Sequence, residues 1–224
     1  MLIALLPIKA HSQRVPGKNF RDFCDKPLYT WILETLLDCP LIDRVVVDTD
    51  HEPLIDQLHA RYPAVQTLLR PESLRGDMTS MNDIIAYDIT QAPADAYLQT
   101  HATNPLLTVQ TICAAITAYQ TLQSPYDSLF SVNRIQARTY WRDGTPINPT
   151  LGELKRTQDL EPVFEENSNL FLFSPASFAA SGSRLGLHPA LFETPKMESL
   201  DIDEEEDFRF AQLVMGARLK EAQP

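Results

Sequence analysis

The chain opens with an apolar run, LIALLPI (Leu2–Ile8), which passes directly into a polar loop, KAHSQRVPGKN (Lys9–Asn19). A short run of nearly unbroken hydrophobic residues is typical of a strand buried on both faces of a parallel sheet. The loop holds three cations, a serine, an asparagine and a glycine. Because open α/β sheets bind ligands beyond the carboxyl ends of their strands, the sequence predicts an anion-binding loop after the first strand.

Strand-like and helix-like segments alternate after this first strand. Further strands are predicted at 44–50, 65–69, 96–99 and 128–132, and helices at 28–36, 53–62, 79–90 and 109–122. Such alternation implies right-handed βαβ units around a parallel sheet. We therefore predict an α/β fold, a three-layer sandwich with a mostly parallel central sheet, and one domain over residues 1–224.

The alternation stops at residues 134–168, which are rich in polar residues and proline. We interpret this segment as an insertion, and a β arm is one form that it could take. The pattern resumes with a strand at 170–173 and a helix over 204–219, which has an apolar face.

The composition limits the kinds of partner. The 224 residues are 44% hydrophobic and carry a formal net charge of -11, which disfavours nucleic acid and anionic membranes. No apolar run approaches the ~18 residues of a membrane span, and the first residues lack the cationic region of a signal peptide. The cysteines, Cys24, Cys39 and Cys113, show no metal-ligand spacing. We expect a cytoplasmic enzyme that binds neither nucleic acid nor membrane.

The chemistry of the polar loop favours phosphate binding. Gly17 permits close backbone approach, and Pro16 restricts the loop. The loop has neither the Walker spacing nor the GxGxxG spacing of dinucleotide-binding loops. The alternative is a simple turn at residues 15–17 with solvated lysines around it.

Polar motifs follow the predicted strands in a fixed order along the chain. They are LPIK with RVPGKN (6–19), KPL (26–28), VDTD (47–50), LRPE (69–72) with Asp77, LQ with TNPL (98–106), and SLDID (199–203) with Asp207 and Phe208. Together these motifs resemble the signature of the acylneuraminate cytidylyltransferase family, the CMP-sialic acid synthetases and their relatives.

The resemblance implies a fold like that of the nucleotide-diphospho-sugar transferases. It also implies an enzyme that joins CTP to a 2-keto-3-deoxy sugar acid and releases pyrophosphate, and a homodimer in which the insertion reaches the partner. Two alternatives stay open: a nucleotidyltransferase acting on a sugar 1-phosphate, and a non-catalytic nucleotide- or sugar-binding homologue. The single glycine of the loop, Gly17, argues against the first. Lys9 and Gln13, which stand where the family usually has Arg and Lys, support the second.

The resemblance assigns the nucleotide site. It implies that Lys9, Arg14 and Lys18 neutralise the triphosphate as catalytic cations, with Ser12 and Asn19 assisting. It also places Arg70, Thr79 and Ser80 around the nucleotide. From the residues alone, Thr79 or Ser80 could equally cap the helix that follows.

The predicted sugar site draws on two parts of the chain. Gln99, His101 and Asn104 belong to the loop after the fourth strand, and the two extra residues there leave open whether Gln99 or His101 faces the sugar. Arg156 and Asn167 belong to the insertion. Arg156 is a plausible carboxylate partner, and a solvated surface arginine is an equal alternative.

Asp201-Ile202-Asp203 places two carboxylates on one side of an extended segment, with Ile202 toward the core. Hard oxygen ligands beside a triphosphate suit Mg²⁺. Asp203 with Glu206 also resembles a helix capping box. The resemblance favours Asp201 and Asp203 as Mg²⁺ ligands, with Asp203 as a candidate catalytic base.

Overall fold

The computed structural model describes residues 1–76 and 78–221. Asp77, one of the motif residues, lies outside the described residues. The strands are β1 (Leu2–Ile8), β2 (Arg44–Thr49), β3 (Gln66–Leu69), β4 (Ala96–Gln99), β5 (Ser128–Ile135), β6 (Val163–Phe173) and β7 (Pro189–Glu193). The helices are α1 (Leu28–Leu37), α2 (Glu52–Arg61), α3 (Met81–Gln91), α4 (Val109–Gln120), α5 (Pro175–Ser181) and α6 (Glu205–Glu221). Among the described helices, none has the length and apolar character needed to cross a bilayer.

The strands form one seven-stranded sheet in the order β3-β2-β1-β4-β6-β5-β7. β1 lies between β2 and β4 and is parallel to both. β6 runs antiparallel to β4 and β5, while β5 and β7 are parallel. The prediction of a mostly parallel sheet is confirmed, with β6 as the strand of opposite direction.

Strand β1 supplies core residues to both faces of the sheet. Leu2, Ala4, Leu6 and Ile8 pack with α1, α2 and α4 on one side. Ile3 and Leu5 pack with α3 and α5 on the other. Because successive side chains of a strand point to opposite faces, one apolar run serves two helical layers. The predicted three-layer sandwich is confirmed.

Helix α6 brings the C-terminal motif to the loop after β1. Its buried residues Phe208, Ala211 and Met215 share a third apolar cluster with Val15 of the loop. Ile202, between the two motif carboxylates, is fully buried in the same cluster, as its predicted inward orientation requires. Residues far apart in sequence therefore meet at the carboxyl end of β1.

The insertion is shorter than the predicted segment of residues 134–168. β5 continues to Ile135 and β6 begins at Val163, and these two residues are paired at the end of an antiparallel ribbon. Residues 136–162 project beyond the ribbon and contain an isolated bridge between Tyr140 and Pro146. The β-arm interpretation holds for the two ends of the predicted insertion, residues 134–135 and 163–168. These residues belong to β5 and β6 and are therefore part of the sheet.

Candidate active site

A cleft of about 380 Å³ lies at the carboxyl end of β1. Its walls come from the polar loop, from the segment after β4 and from the first residue of α3. The lining residues are Pro7, Lys9, His11, Ser12, Gln13, Arg14, Lys18, Asn19, Met81, His101, Ala102 and Thr103. The predicted anion-binding loop is therefore the main wall of the cleft.

The loop is held in shape by its own backbone and by two side chains. Gly17 adopts the left-handed conformation, with φ 62°, which allows the tight 3-10 turn at Lys18–Phe20 to follow. Asn19 Nδ2 donates a hydrogen bond to the carbonyl oxygen of Lys9 at 2.9 Å, and Ala10 N donates to Asp50 Oδ1 at 2.6 Å. Asn19, predicted to assist phosphate binding, thus also closes the loop, and its phosphate contact stays a prediction.

Lys18 is a buried cation at the base of the cleft, only 8% exposed. Its Nζ donates a hydrogen bond to the carbonyl oxygen of Ile202 and lies 4.0 Å from Asp203 Oδ1. Burial lowers the pKa of Lys18, while the charges of Asp201 and Asp203 act to raise it. The nearby carboxylates therefore help to keep this buried amine protonated.

Arg14 joins the loop to the same acidic segment. Its Nη2 donates to Asp203 Oδ1 at 2.5 Å, and its Nη1 lies 3.5 Å from Glu204 Oε1. Arg14 and Asp203 are 189 positions apart in the sequence. Both side chains are about half exposed, so this ion pair contributes little stability and can exchange partners.

Asp201 has an oxygen without a protein partner. Its Oδ1 is buried and makes no hydrogen bond within the described structure. Burial raises the pKa of this carboxyl group, with the nearby charge of Asp203 acting in the same direction and Lys18 opposing it. An unsatisfied buried carboxylate oxygen is costly, and a bound cation would satisfy it.

Asp203 does not cap helix α6. The carboxylate of Asp207 accepts hydrogen bonds from the backbone N–H of Asp203 at 3.1 Å and of Glu204 at 2.7 Å. The alternative of a capping box formed by Asp203 and Glu206 is therefore wrong. The carboxylate that accepts from the backbone N–H groups at the start of α6 belongs to Asp207 and not to Glu206. The Asp203 side chain is left facing the cations of the loop.

His101, and not Gln99, lines the cleft. Gln99 is fully buried, and its Nε2 donates to the carbonyl oxygen of Thr100 at 2.6 Å. Burial, with the charges of Arg184 and Lys18, lowers the pKa of His101 to about 3, so the ring is neutral at ordinary pH. Of the two residues, His101 is therefore the one that lines the cleft, and its contact with the sugar stays a prediction.

Arg184 contacts the cleft residue His101, and no sequence motif predicted it there. It lies in the loop between α5 and β7, and its Nη1 donates to Gln99 Oε1 and approaches His101 Nε2 to 3.3 Å. Its Cζ atom lies 3.6 Å from the ring centroid of Phe171. An isolated arginine between a serine and a leucine gives no recognisable motif, so only the fold could place it here.

Asn104 and Asn167 are buried behind the cleft and do not line it. Asn104 Nδ2 donates to Asn169 Oδ1 at 2.8 Å. Asn167 Nδ2 donates to Thr194 Oγ1 at 2.6 Å, and Asn167 Oδ1 accepts from Ser131 Oγ at 2.7 Å. Asn104 thus ties the segment after β4 to β6, Asn167 ties β6 to β5 and to the residue after β7, and a direct sugar contact of either stays a prediction.

Arg70 is buried in an ion pair. Its Nε donates to Asp48 Oδ1 at 2.5 Å, and Arg70 is only 3% exposed. Asp88 of α3 is buried beside the pair, and burial together with the charge of Asp48 raises its pKa to about 8. Arg70 therefore joins β2, β3 and α3, and its predicted contact with the nucleotide remains untested.

Ser80 is the N-cap of α3. Its Oγ accepts a hydrogen bond from Asp83 N at 3.2 Å, which confirms the capping alternative for this residue. Thr79 Oγ1 accepts from Gly76 N at 3.2 Å in the preceding turn. Met81, the next residue, lines the cleft, so both predicted nucleotide residues lie next to its wall.

Arg156 lies outside the cleft on the projecting segment. Its Nε donates to Asp159 Oδ2 at 2.7 Å, and its side chain is 73% exposed. In this single chain Arg156 is therefore a surface arginine, which was the alternative interpretation of the residue. A contact with the sugar would require the segment to reach a second subunit.

The chain is similar to known proteins over most of its length. A family model described as "Cytidylyltransferase" matches residues 3–211. A pseudaminic acid cytidylyltransferase of Campylobacter jejuni is 25% identical over an alignment 223 positions long, which covers 95% of each chain. An N-acylneuraminate cytidylyltransferase of Escherichia coli is 25% identical over 218 residues, covering 94% of this chain and 51% of that protein. The structure of CMP:2-keto-3-deoxy-manno-octonic acid synthetase complexed with CTP superposes with a TM-score of 0.70 at 14% identity, covering 97% of this chain and 99% of that one.

Proposed function

The chain belongs to the cytidylyltransferase family, and from this premise we propose that it transfers the cytidylyl group of CTP to a 2-keto-3-deoxy sugar acid. The products are a CMP-sugar acid and pyrophosphate. The observation that carries the proposal is the meeting of Arg14 and Lys18 with Asp201 and Asp203 at the cleft. The names of the relatives, which are pseudaminic and acylneuraminic acid cytidylyltransferases, support a sugar acid as the acceptor.

The reaction is an in-line displacement at phosphorus. The anomeric 2-hydroxyl oxygen of the sugar acid bonds to the α-phosphorus of CTP, and the bond from that phosphorus to the bridging oxygen of the β-phosphate breaks. Lys9, Arg14 and Lys18 hold the triphosphate and offset the charge that develops on its oxygens. Asp203 is the candidate acceptor for the hydroxyl proton.

The ion pair between Arg14 and Asp203 suggests an order of events. A triphosphate offers Arg14 more negative charge than one carboxylate does, so Arg14 exchanges Asp203 for a phosphate oxygen. The Asp203 carboxylate is then released for its role in the reaction. Because the pair is largely solvated, this exchange costs little.

Asp201 and Asp203 are the residues that would hold Mg²⁺. The unsatisfied Asp201 Oδ1 fits this role, because Mg²⁺ prefers carboxylate oxygens and shares its remaining positions with water and phosphate. The described residues contain no group of three or more His, Cys, Asp or Glu side chains that could hold a metal without such help. The bound ion would add positive charge at the phosphates.

A pyrophosphate-release assay tests the proposal. The purified protein is given CTP, Mg²⁺ and a panel of 2-keto-3-deoxy sugar acids, and we expect release with at least one of them. Release only with a sugar 1-phosphate would identify a different nucleotidyltransferase. Binding of CTP without release under any condition would identify a non-catalytic homologue.

A homodimer is part of the proposal. The projecting segment carries exposed apolar side chains, among them Trp141, Leu151 and Leu154, and α6 exposes Phe210 and Leu213. Exposed apolar groups of this size are typical of a surface that another chain covers. Sedimentation velocity should show a dimer that dissociates when residues 139–156 are deleted, and a monomer at all concentrations would contradict this part.

A further inference from the structure

Arg184 is a positive charge without an acidic partner. No carboxylate lies within ion-pair distance of its guanidinium among residues 1–76 and 78–221. Burial lowers the pKa of Arg184 to about 10, with only the charge of Glu166 opposing this change, so the group is still charged at neutral pH. Charged side chains that are removed from water are normally paired, which makes this arginine unusual.

The guanidinium is fixed in position by uncharged groups. Phe171 of β6 lies under its plane, with 3.6 Å between Cζ and the ring centroid. Gln99 Oε1 accepts from Nη1, and the backbone N–H of Arg184 donates to Asn82 Oδ1 at 3.3 Å. These contacts orient the group but do not neutralise it. Within the described part of the chain the N–H groups on Nε and Nη2 make no hydrogen bond, and Arg184 lies behind His101 and is not itself among the residues that line the cleft.

His101 connects this cation to the cleft. Its Nε2 lies 3.3 Å from Arg184 Nη1 and 3.3 Å from Gln99 Nε2, and both of those nitrogens are donors. The Nε2 atom must therefore be the acceptor of the neutral ring, and the proton of the ring is on Nδ1. A residue that lines the cleft thus offers an N–H donor next to a fixed guanidinium.

We propose that Arg184, together with His101, forms the subsite that binds the carboxylate of the sugar acid. A planar guanidinium matches a carboxylate with two parallel hydrogen bonds, which neither the phosphate-binding lysines nor a neutral amide can reproduce. The carboxylate of the ligand also supplies the negative charge that no described side chain places within ion-pair distance of Arg184. The inference rests on the proposed function, since that function provides the acidic sugar.

The decisive comparison is between the sugar acid and its methyl ester. Wild-type protein should prefer the acid by ~100-fold in kcat/KM, because the ester lacks the charge that Arg184 would pair with. Arg184→Gln should raise KM for the acid by ~100-fold and remove the preference, while KM for CTP changes less than about twofold. Arg209→Gln, on the exposed face of α6, is the matched control and should behave as wild type.

A purely structural role for Arg184 predicts a different result. Loss of Gln99 support alone would weaken acid and ester equally, so an unchanged acid-to-ester ratio in Arg184→Gln would overturn the proposal. If Arg184→Gln does not fold, Arg184→Lys decides. This variant keeps the charge but loses the planar fork, and we expect ~10-fold weaker binding of the acid, whereas unchanged binding would overturn the proposal.

Equilibrium binding separates this inference from the proposed function. Calorimetric titration with the acid and with the ester, in the presence of CTP, requires no turnover. If wild-type protein binds the acid in preference to the ester but releases no pyrophosphate, the proposed function fails and the role of Arg184 stands. If the protein turns over but the acid and the ester bind equally well, the role of Arg184 fails and the proposed function stands.

Discussion

Lys18 combines burial with a charge to which the proposed mechanism assigns a role. The side chain is almost removed from solvent, yet it lies beside Asp203 and donates to the Ile202 carbonyl oxygen. A charge fixed in a partly desolvated site interacts more strongly with phosphate than a solvated one does. The burial of Lys18 is therefore consistent with a role in charge stabilisation.

We expect Lys18→Ala to lower kcat/KM by at least ~100-fold, because it removes a fixed charge from the developing phosphate charge. Steady-state pyrophosphate release measures the effect, and circular dichroism checks that the protein is folded. Lys220→Ala, on an exposed position of α6, is the control. Turnover of Lys18→Ala within about twofold of wild type would remove Lys18 from the mechanism.

Asp201→Asn should weaken the response of the enzyme to Mg²⁺. The amide keeps the size of the side chain but removes the charge that favours a divalent cation. We expect the Mg²⁺ concentration for half-maximal activity to rise ~10- to 100-fold, a range typical of altered metal sites. Equal Mg²⁺ titration curves for the two proteins would show that Asp201 is not a ligand.

At the scale of single residues, the sequence predicted those that belong to a recognisable pattern. Lys18 and Asp203 stand in motifs at the ends of the chain, and the structure brings them to 4.0 Å. Arg184 and the burial of Gln99 could not be predicted, because both depend on how β4, β6 and the loop after α5 pack together. Side-chain partners of that kind are a property of tertiary structure.

Among the elements, β2, β3 and α3 are joined by a buried charge cluster. Arg70 pairs with Asp48, and Asp88 is buried next to them. One guanidinium cannot neutralise two buried carboxylates, so Asp88 keeps its proton to a much higher pH than an exposed aspartate. The packing of these elements is thereby linked to pH.

The direction of the pH effect follows from the raised pKa of Asp88. The unfolded chain loses this proton near pH 4, while the folded protein keeps it up to about pH 8. The folded state therefore binds more protons in this interval, and this group lowers stability progressively as pH rises from about 4 to 8. Below about pH 4, Asp88 is protonated in both the folded and the unfolded state, so it does not change the stability there.

Asp88→Asn should remove this part of the pH dependence. We expect the variant to gain stability relative to wild type between pH 5 and pH 8, measured as the difference in urea midpoints. Asp56→Asn, at an exposed position of α2, is the control. Parallel pH profiles for wild type and Asp88→Asn would contradict the assignment.

The elements themselves were predicted well where periodicity was strong. β1 has the predicted bounds, and α2, α3 and α4 differ by one or two residues at their ends. Helix α5 and strand β7 were missed because they are short and carry no clear pattern. The direction of β6 could not be predicted either, since a short apolar run such as residues 170–173 does not show which way the strand runs in the sheet.

For the molecule as a whole, α6 connects the C-terminal motif to the first loop. Phe208 is buried, and its ring meets that of Phe23 edge to face, with 5.4 Å between centroids. The same cluster contains Val15 and Ile202, which lie next to the site residues. The packing of α6 therefore positions the acidic segment against the loop after β1.

Phe208→Ala should destabilise the protein by about 3–5 kcal/mol, because it leaves a cavity in this cluster. Urea denaturation measures the loss. Leu187→Ala, at a side chain that is 58% exposed and outside the proposed dimer surface, should cost much less. Similar losses for the two variants would show that the third cluster does not stabilise the fold as described.

The convergence of the two ends of the sequence has a consequence for biosynthesis. The strands that form the sheet all precede Asp201 in the chain, so every strand is synthesised before the acidic segment. Until that segment has been synthesised, Lys18 and Arg14 lack the carboxylates beside which they lie in the folded protein. A chain that ends before Asp201 should therefore contain every strand of the sheet but lack the carboxylates of the site.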